Sequence, residues 1–93
     1  MDDLYYSDYI ELDTILNSQH PRSFEKMEDG NDEMLFIIIH QAYELWFKQL
    51  LHEIDSLGAR LDADDLSAVE ATLKRVLTIL KVQVAQIDIL ETM

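Results

Sequence analysis

The chain has 93 residues, 48% of them hydrophobic, and a formal charge of −12 with no cysteine. A polyanion repels phosphate backbones and anionic headgroups, which excludes nucleic acid and membrane surfaces as partners. The lack of cysteine excludes disulfides, thiolate metal sites and thiol catalysis.

Ninety-three residues make one domain at most, or a piece of one. A lone chain of this length buries only roughly 60–65% of its unfolded surface. Its apolar supply, with one Trp, four Tyr and three Phe, predicts surface meant for other elements or other subunits. Met1-Asp2-Asp3-Leu4 carries neither the basic region nor the apolar core of a signal peptide. No apolar run approaches the roughly 18–20 residues of a membrane span. The expectation is a soluble, cytoplasmic protein.

Residues 1–30 read as an N-terminal arm with a short helix and a loop. Tyr5 to about Asn17 carries Tyr9, Ile10, Leu12, Ile15 and Leu16, with Ser7 or Asp8 as a cap and Glu11 three residues past Asp8, as in a capping box. A helix this short must dock on something. His20-Pro21 ends it, because proline pushes the residue before it out of the α region. Residues 17–30 are then expected to form a polar loop.

The second helix is expected from Asn31 or Asp32 to a stop at Gly58, with Asp32 and Glu33 in its first turn. Its first half is apolar on nearly every side, which predicts a helix lying inside a structure. His40 sits there among Phe36, Ile37, Ile38, Ile39 and Trp46. Burying an imidazole in such surroundings is costly unless something hydrogen-bonds to it.

Residues 62–93 form the third-helix segment: Asp62 to Asp65 is a turn rich in capping residues, and the helix runs from about Leu66 to the end. Leu66, Val69, Leu73, Val76, Leu80, Ile87 and Leu90 recur at alternating spacings of three and four, with Gln83 as the one polar member, which predicts a bundle seam. No stop signal precedes Met93, so the chain reads as cut from a longer one. The fold class is all-α: a helical bundle of one short N-terminal helix and two long antiparallel helices, with no repeat and no strand pattern.

Phe36, His40 and Glu44 share a helix face. Two readings of His40 stand open: a core histidine bonded to a neighbour such as Glu44, or a histidine facing a pocket with Phe36 as its aromatic wall. Carboxylate-bridged metal bundles need a Glu three residues before a His, but Ile37 and Gln49 stand before His40 and His52. No metal site is expected from this chain's side chains. His52 reads as a surface or interhelical residue and His20 as a loop residue. Tyr5, Tyr6 and Tyr9 make either a docking patch or an aromatic wall over a planar ligand. The acidic runs Asp2-Asp3, Glu28-Asp29 and Asp62/Asp64/Asp65 read as solvated caps and loops. Phosphate loops, Ser-His-Asp signals and basic stripes are absent.

Tyr6-Ser-Asp-Tyr9-Ile-Glu-Leu-Asp13, Ser18-Gln-His-Pro21, the block Asp32 to Lys48 centred on His40, and Leu90-Glu-Thr-Met93 together resemble the N-terminal part of the tryptophan 2,3-dioxygenase family, in the family's order. That resemblance implies part of a larger all-helical haem dioxygenase fold, haem b, and a homo-oligomer, a tetramer in the family. It implies oxidative cleavage of the indole C2–C3 bond of L-tryptophan by O2 to N-formyl-L-kynurenine, the opening step of the kynurenine pathway.

His40 resembles the distal-pocket histidine that hydrogen-bonds the indole N–H, and Phe36 the aromatic residue against the indole. Phe36, Ile37, Ile38, Ile39 and His40 match the family's first substrate-binding segment. Tyr6, Tyr9 and Ile10 match residues that reach into a neighbouring subunit's site. The chain ends before the family's carboxylate-clamping arginine and its proximal iron ligand, and none of His20, His40 and His52 matches that ligand. No haem and no activity are therefore expected of these 93 residues alone. The alternative expectation is an acidic, self-associating helical interaction module without catalysis.

Overall fold

The computed structural model describes residues 5–22 and 27–93, the side chains of 27–31 excepted. The described residues form four helices: α1 Tyr6–Tyr9, α2 Leu12–Leu16, α3 Met27–Asp62 and α4 Leu66–Leu90. The all-α expectation holds. Two compact units divide the chain, Met1–Ile38 and Ile39–Met93.

In the first unit the single expected helix is broken into α1 and α2. Glu11, expected to complete a capping box, instead takes the left-handed conformation (φ 54°, ψ 49°), and neither helix has a side-chain cap at its N-terminus. Segments of four and five residues lie far below the length at which helix propagation repays nucleation, so local breaks cost little there. The end of α2 is closed by side chains. Asn17 Nδ2 donates to the Asp13 carbonyl at 2.7 Å, Ser18 Oγ to that of Thr14, and Gln19 Nε2 to that of Ile15 at 2.8 Å. The Asp13 and Ile15 carbonyls also accept from the Asn17 and Ser18 N–H groups, at 3.2 and 3.3 Å, so the side chains add a second donor at the helix end. After Pro21, the Arg22 N–H donates to Glu33 Oε1 at 2.8 Å.

The polar loop expected over residues 17–30 does not extend to residue 30. Residues 27–30 already belong to α3. Residues 23–26, Asp2-Asp3 and the side chains of Glu28-Asp29 lie outside the described residues. Acidic residues favour a helix N-terminus through its dipole, so Glu28 and Asp29 suit a start at Met27. Asp32 and Glu33 consequently fall in the second turn.

Gly58 does not stop α3, which runs four residues further, and no described glycine has a positive φ. The stop comes at Asp64, at φ 55°. The Asp65 N–H donates to the Arg60 carbonyl and the Asp64 N–H to the Leu61 carbonyl, each at 3.0 Å. This is the paired-bond Schellman ending, with aspartate in the left-handed position that glycine more often fills. Asp65 then caps α4, its Oδ1 accepting from the Ala68 N–H at 3.2 Å.

In the second unit α3 and α4 form an antiparallel hairpin. Side-chain links run from Tyr43 to Gln83, Glu53 to Arg75 and Arg60 to Thr72, so positions rising along α3 meet positions falling along α4. The buried apolar residues are Ile39 and Ile79, and Glu53, Thr72 and Gln83 are buried with them. The expected seam is rotated. Leu66, Leu73, Leu80 and Ile87 are exposed, while their neighbours Thr72 and Ile79 are buried and Gln86 is half-buried. Only Val69, Val76, Gln83 and Leu90 of the expected series lie inward. A single helix partner covers a narrower stripe than the whole apolar arc of α4, and the polar links to α3 select which part is covered.

Candidate functional site

The backbone of α3 supplies most of the candidate residues. Ile39 is 4% exposed and anchors the helix in the hairpin. The next residue, His40, lies about 100° further round and is exposed. The expectation that α3 buries His40 therefore does not hold in this structure: the inward stripe takes Ile39 and Tyr43, four residues apart, and turns the imidazole aside.

Tyr43 is half-buried and donates its hydroxyl to the Gln83 carbonyl at 2.7 Å. Its ring stacks on that of Phe47, with centroids 6.1 Å apart and planes at 21°. That stacking is within the favourable range for aromatic pairs. Neither Tyr43 nor Gln83 was singled out as a site residue by sequence. The one signal in the sequence is the four-residue step from Ile39 to Tyr43, since the acceptor is a backbone carbonyl that any residue at position 83 would offer.

In the first unit, Phe36 is 49% exposed, Ile38 is exposed and Ile37 is half-buried. Tyr6 and Tyr9 open and close α1 and are both exposed, and Ile10, just after it, is half-buried. His20 and His52 are exposed, as their readings anticipated.

Further along the hairpin the polar residues are satisfied in pairs. Glu53 is buried, accepts from Gln49 Nε2 at 2.6 Å and faces Arg75 Nη1 at 3.6 Å. Thr72 Oγ1 donates to the Ala68 carbonyl at 2.8 Å and accepts from Arg60 Nη1. Among the described residues no group of three His, Asp or Glu side chains gathers as a metal site. No described helix is long and apolar enough to cross a membrane.

Among the described residues every element is a helix, and the sequence is strongly acidic, so the chain is of the class of acidic all-helical proteins. Its residues 1–93 match the family model described as tryptophan 2,3-dioxygenase, and the chain belongs to that family. A tryptophan 2,3-dioxygenase of Herpetosiphon aurantiacus is 51% identical over 90 residues, covering 97% of this chain and 34% of the relative. One from Anaeromyxobacter sp. (strain K) is 52% identical over 90 residues, covering 97% and 32%. One from Xenopus laevis is 46% identical over 96 residues, covering 97% and 24%. The chain thus spans about a third or less of the length of these curated relatives.

Proposed function

We propose that this chain is the substrate-facing N-terminal part of a haem-dependent tryptophan 2,3-dioxygenase that cleaves the indole C2–C3 bond of L-tryptophan with O2. The single observation that carries this reading is the family match over the entire chain. His40 accepts a hydrogen bond from the indole N–H, as a neutral imidazole can. Phe36 packs against the indole ring, and Ile37 and Ile38 help exclude water from the site. Ile39 serves the same segment by fixing α3 in the hairpin. The exposure of His40 and Phe36 supports their availability to a ligand.

Tyr6, Tyr9 and Ile10 complete the pocket of a neighbouring subunit in a homotetramer. The exposure of both tyrosines supports this, since each leaves a large ring for a partner to cover. Haem supplies oxygen activation when bound. By the family resemblance, none of His20, His40 and His52 stands at the proximal iron ligand. This chain's part is to bind, orient and shield the indole. A cytoplasmic setting agrees with a cysteine-free polyanion.

His40→Ala in the full-length enzyme is expected to lower kcat/KM for L-tryptophan by about 10- to 100-fold, the loss of one buried hydrogen bond to substrate, with helix content and haem absorption kept. Loss of helix content and haem together would make His40 a core residue and end this reading.

The second reading, a self-associating helical module, is favoured by one observation. Ala42, Leu45, Trp46 and Gln49 line an apolar hollow of about 380 Å³ on α3. Their spacing is that of a hole receiving one side chain from a packed helix. Sedimentation of the 93-residue chain decides it: a monomer rules the module out.

A further inference from the structure

We infer that Tyr43 is a positioning residue for His40, acting through its hydrogen bond to α4; the inference rests on the proposed role of His40. The Tyr43 hydroxyl donates to the Gln83 carbonyl at 2.7 Å across the hairpin. Two further side-chain links between α3 and α4, Glu53 to Arg75 and Arg60 to Thr72, lie ten and seventeen residues further along α3 than Tyr43. Near His40 the burial of Ile39 and this hydrogen bond both tie α3 to α4.

The two anchors fix different freedoms. Ile39 is an apolar contact without direction, and it tolerates small slides and rotations of α3. A hydroxyl-to-carbonyl bond is short and directional, so it sets both the axial register and the rotation of α3 about its axis. His40 sits three residues before Tyr43, about 60° away around the helix. Any rotation of α3 that breaks the Tyr43 bond sweeps the imidazole sideways. The stack of Tyr43 on Phe47 holds the phenol ring in place, so removing the hydroxyl alone leaves the packing intact.

The acceptor is a backbone carbonyl and cannot be deleted by substitution, which makes Tyr43→Phe the clean probe. Tyr43→Phe, His40→Ala and the double variant are compared in the full-length haem enzyme, by kcat and KM for L-tryptophan and by calorimetric binding of L-tryptophan. Tyr43→Phe is expected to lower kcat/KM about tenfold and to weaken tryptophan binding, with a melting temperature close to the parent's, since small displacements of a substrate-orienting group are costly. On the His40→Ala background the same substitution is expected to change neither quantity further. Equal losses on both backgrounds would mean that Tyr43 acts independently of His40, which overturns the inference. Parental kinetics in Tyr43→Phe beside a large loss in His40→Ala would overturn it too, and would leave the role of His40 standing. Parental kinetics in His40→Ala would remove that role, and the inference with it.

Discussion

Two stripes run side by side along α4, and they are made of different chemistry. The stripe facing α3 carries Thr72, Val76, Ile79, Gln83, Gln86 and Leu90, half of it polar. The stripe beside it carries Leu66, Leu73, Leu77, Leu80, Val84 and Ile87, all apolar and all exposed. A hairpin selected for its own stability would bury the second stripe, because apolar area removed from water is the main favourable term in folding. This hairpin buries the first. This stripe contributes direction instead: the Thr72 hydroxyl receives Arg60, and the backbone carbonyl at Gln83 receives Tyr43. The outcome is a pair of helices held in a defined register, with its larger apolar surface left for something else to cover.

Adjacent residues give the largest test of that difference. Ile79 is 6% exposed and Leu80 is 42% exposed. Ile79→Asp would place an unpaired carboxylate in the seam and is expected to cost about 3 kcal/mol or more, enough to unfold the hairpin. Leu80→Asp is expected to shift the stability of the 93-residue chain by no more than about 0.5 kcal/mol. Urea unfolding followed by circular dichroism distinguishes the two, and equal costs would mean that the stripes are not distinct.

A middle-sized effect is expected at the buried carboxylate. Arg75→Ala leaves Glu53 with Gln49 alone and is expected to cost about 1–2 kcal/mol, less than a fully buried pair would because Arg75 is largely exposed. An unchanged denaturation midpoint would show that Gln49 suffices.

The smallest effect is of opposite sign. Gly58 lies inside α3 without a positive φ, and a Cβ there meets nothing within 4 Å. Gly58→Ala is expected to raise stability by roughly 0.5–1 kcal/mol, seen as a higher melting temperature. A lower one would indicate that glycine is needed there for a close approach.

Much of the hairpin was legible from residue pattern. The spacing of Val69, Val76, Gln83 and Leu90 announces a helix with an inward face, and Asp65 announces its cap. The aspartates at 62–65 mark the turn, whereas Gly58, the expected stop, does not end α3. Gly58 lacks the paired carbonyl bonds that Asp64 and Asp65 make, and only those bonds end α3. The N-terminal segment was legible as helical but not as broken, because a left-handed Glu11 has no sequence signal that distinguishes it from a capping glutamate.

For the candidate site, His40 and Phe36 stand out as residue types, and Tyr43 does not. A tyrosine hydroxyl acquires its meaning from the carbonyl it meets, forty residues away.

By itself the sequence determined the helical class, the acidic surface, the absence of thiol chemistry and the presence of one imidazole in an apolar run. All of these follow from composition and from periods of three and four residues, which are local. Only the tertiary structure decided which part of each apolar arc is covered, and so that Ile39 is buried while His40 is exposed, and that Ile79 is buried while Leu80 is not. The physical reason is that an apolar arc wider than one neighbouring helix can be covered in more than one rotation. Directional bonds between distant residues, here Tyr43 to Gln83 and Arg60 to Thr72, select among them.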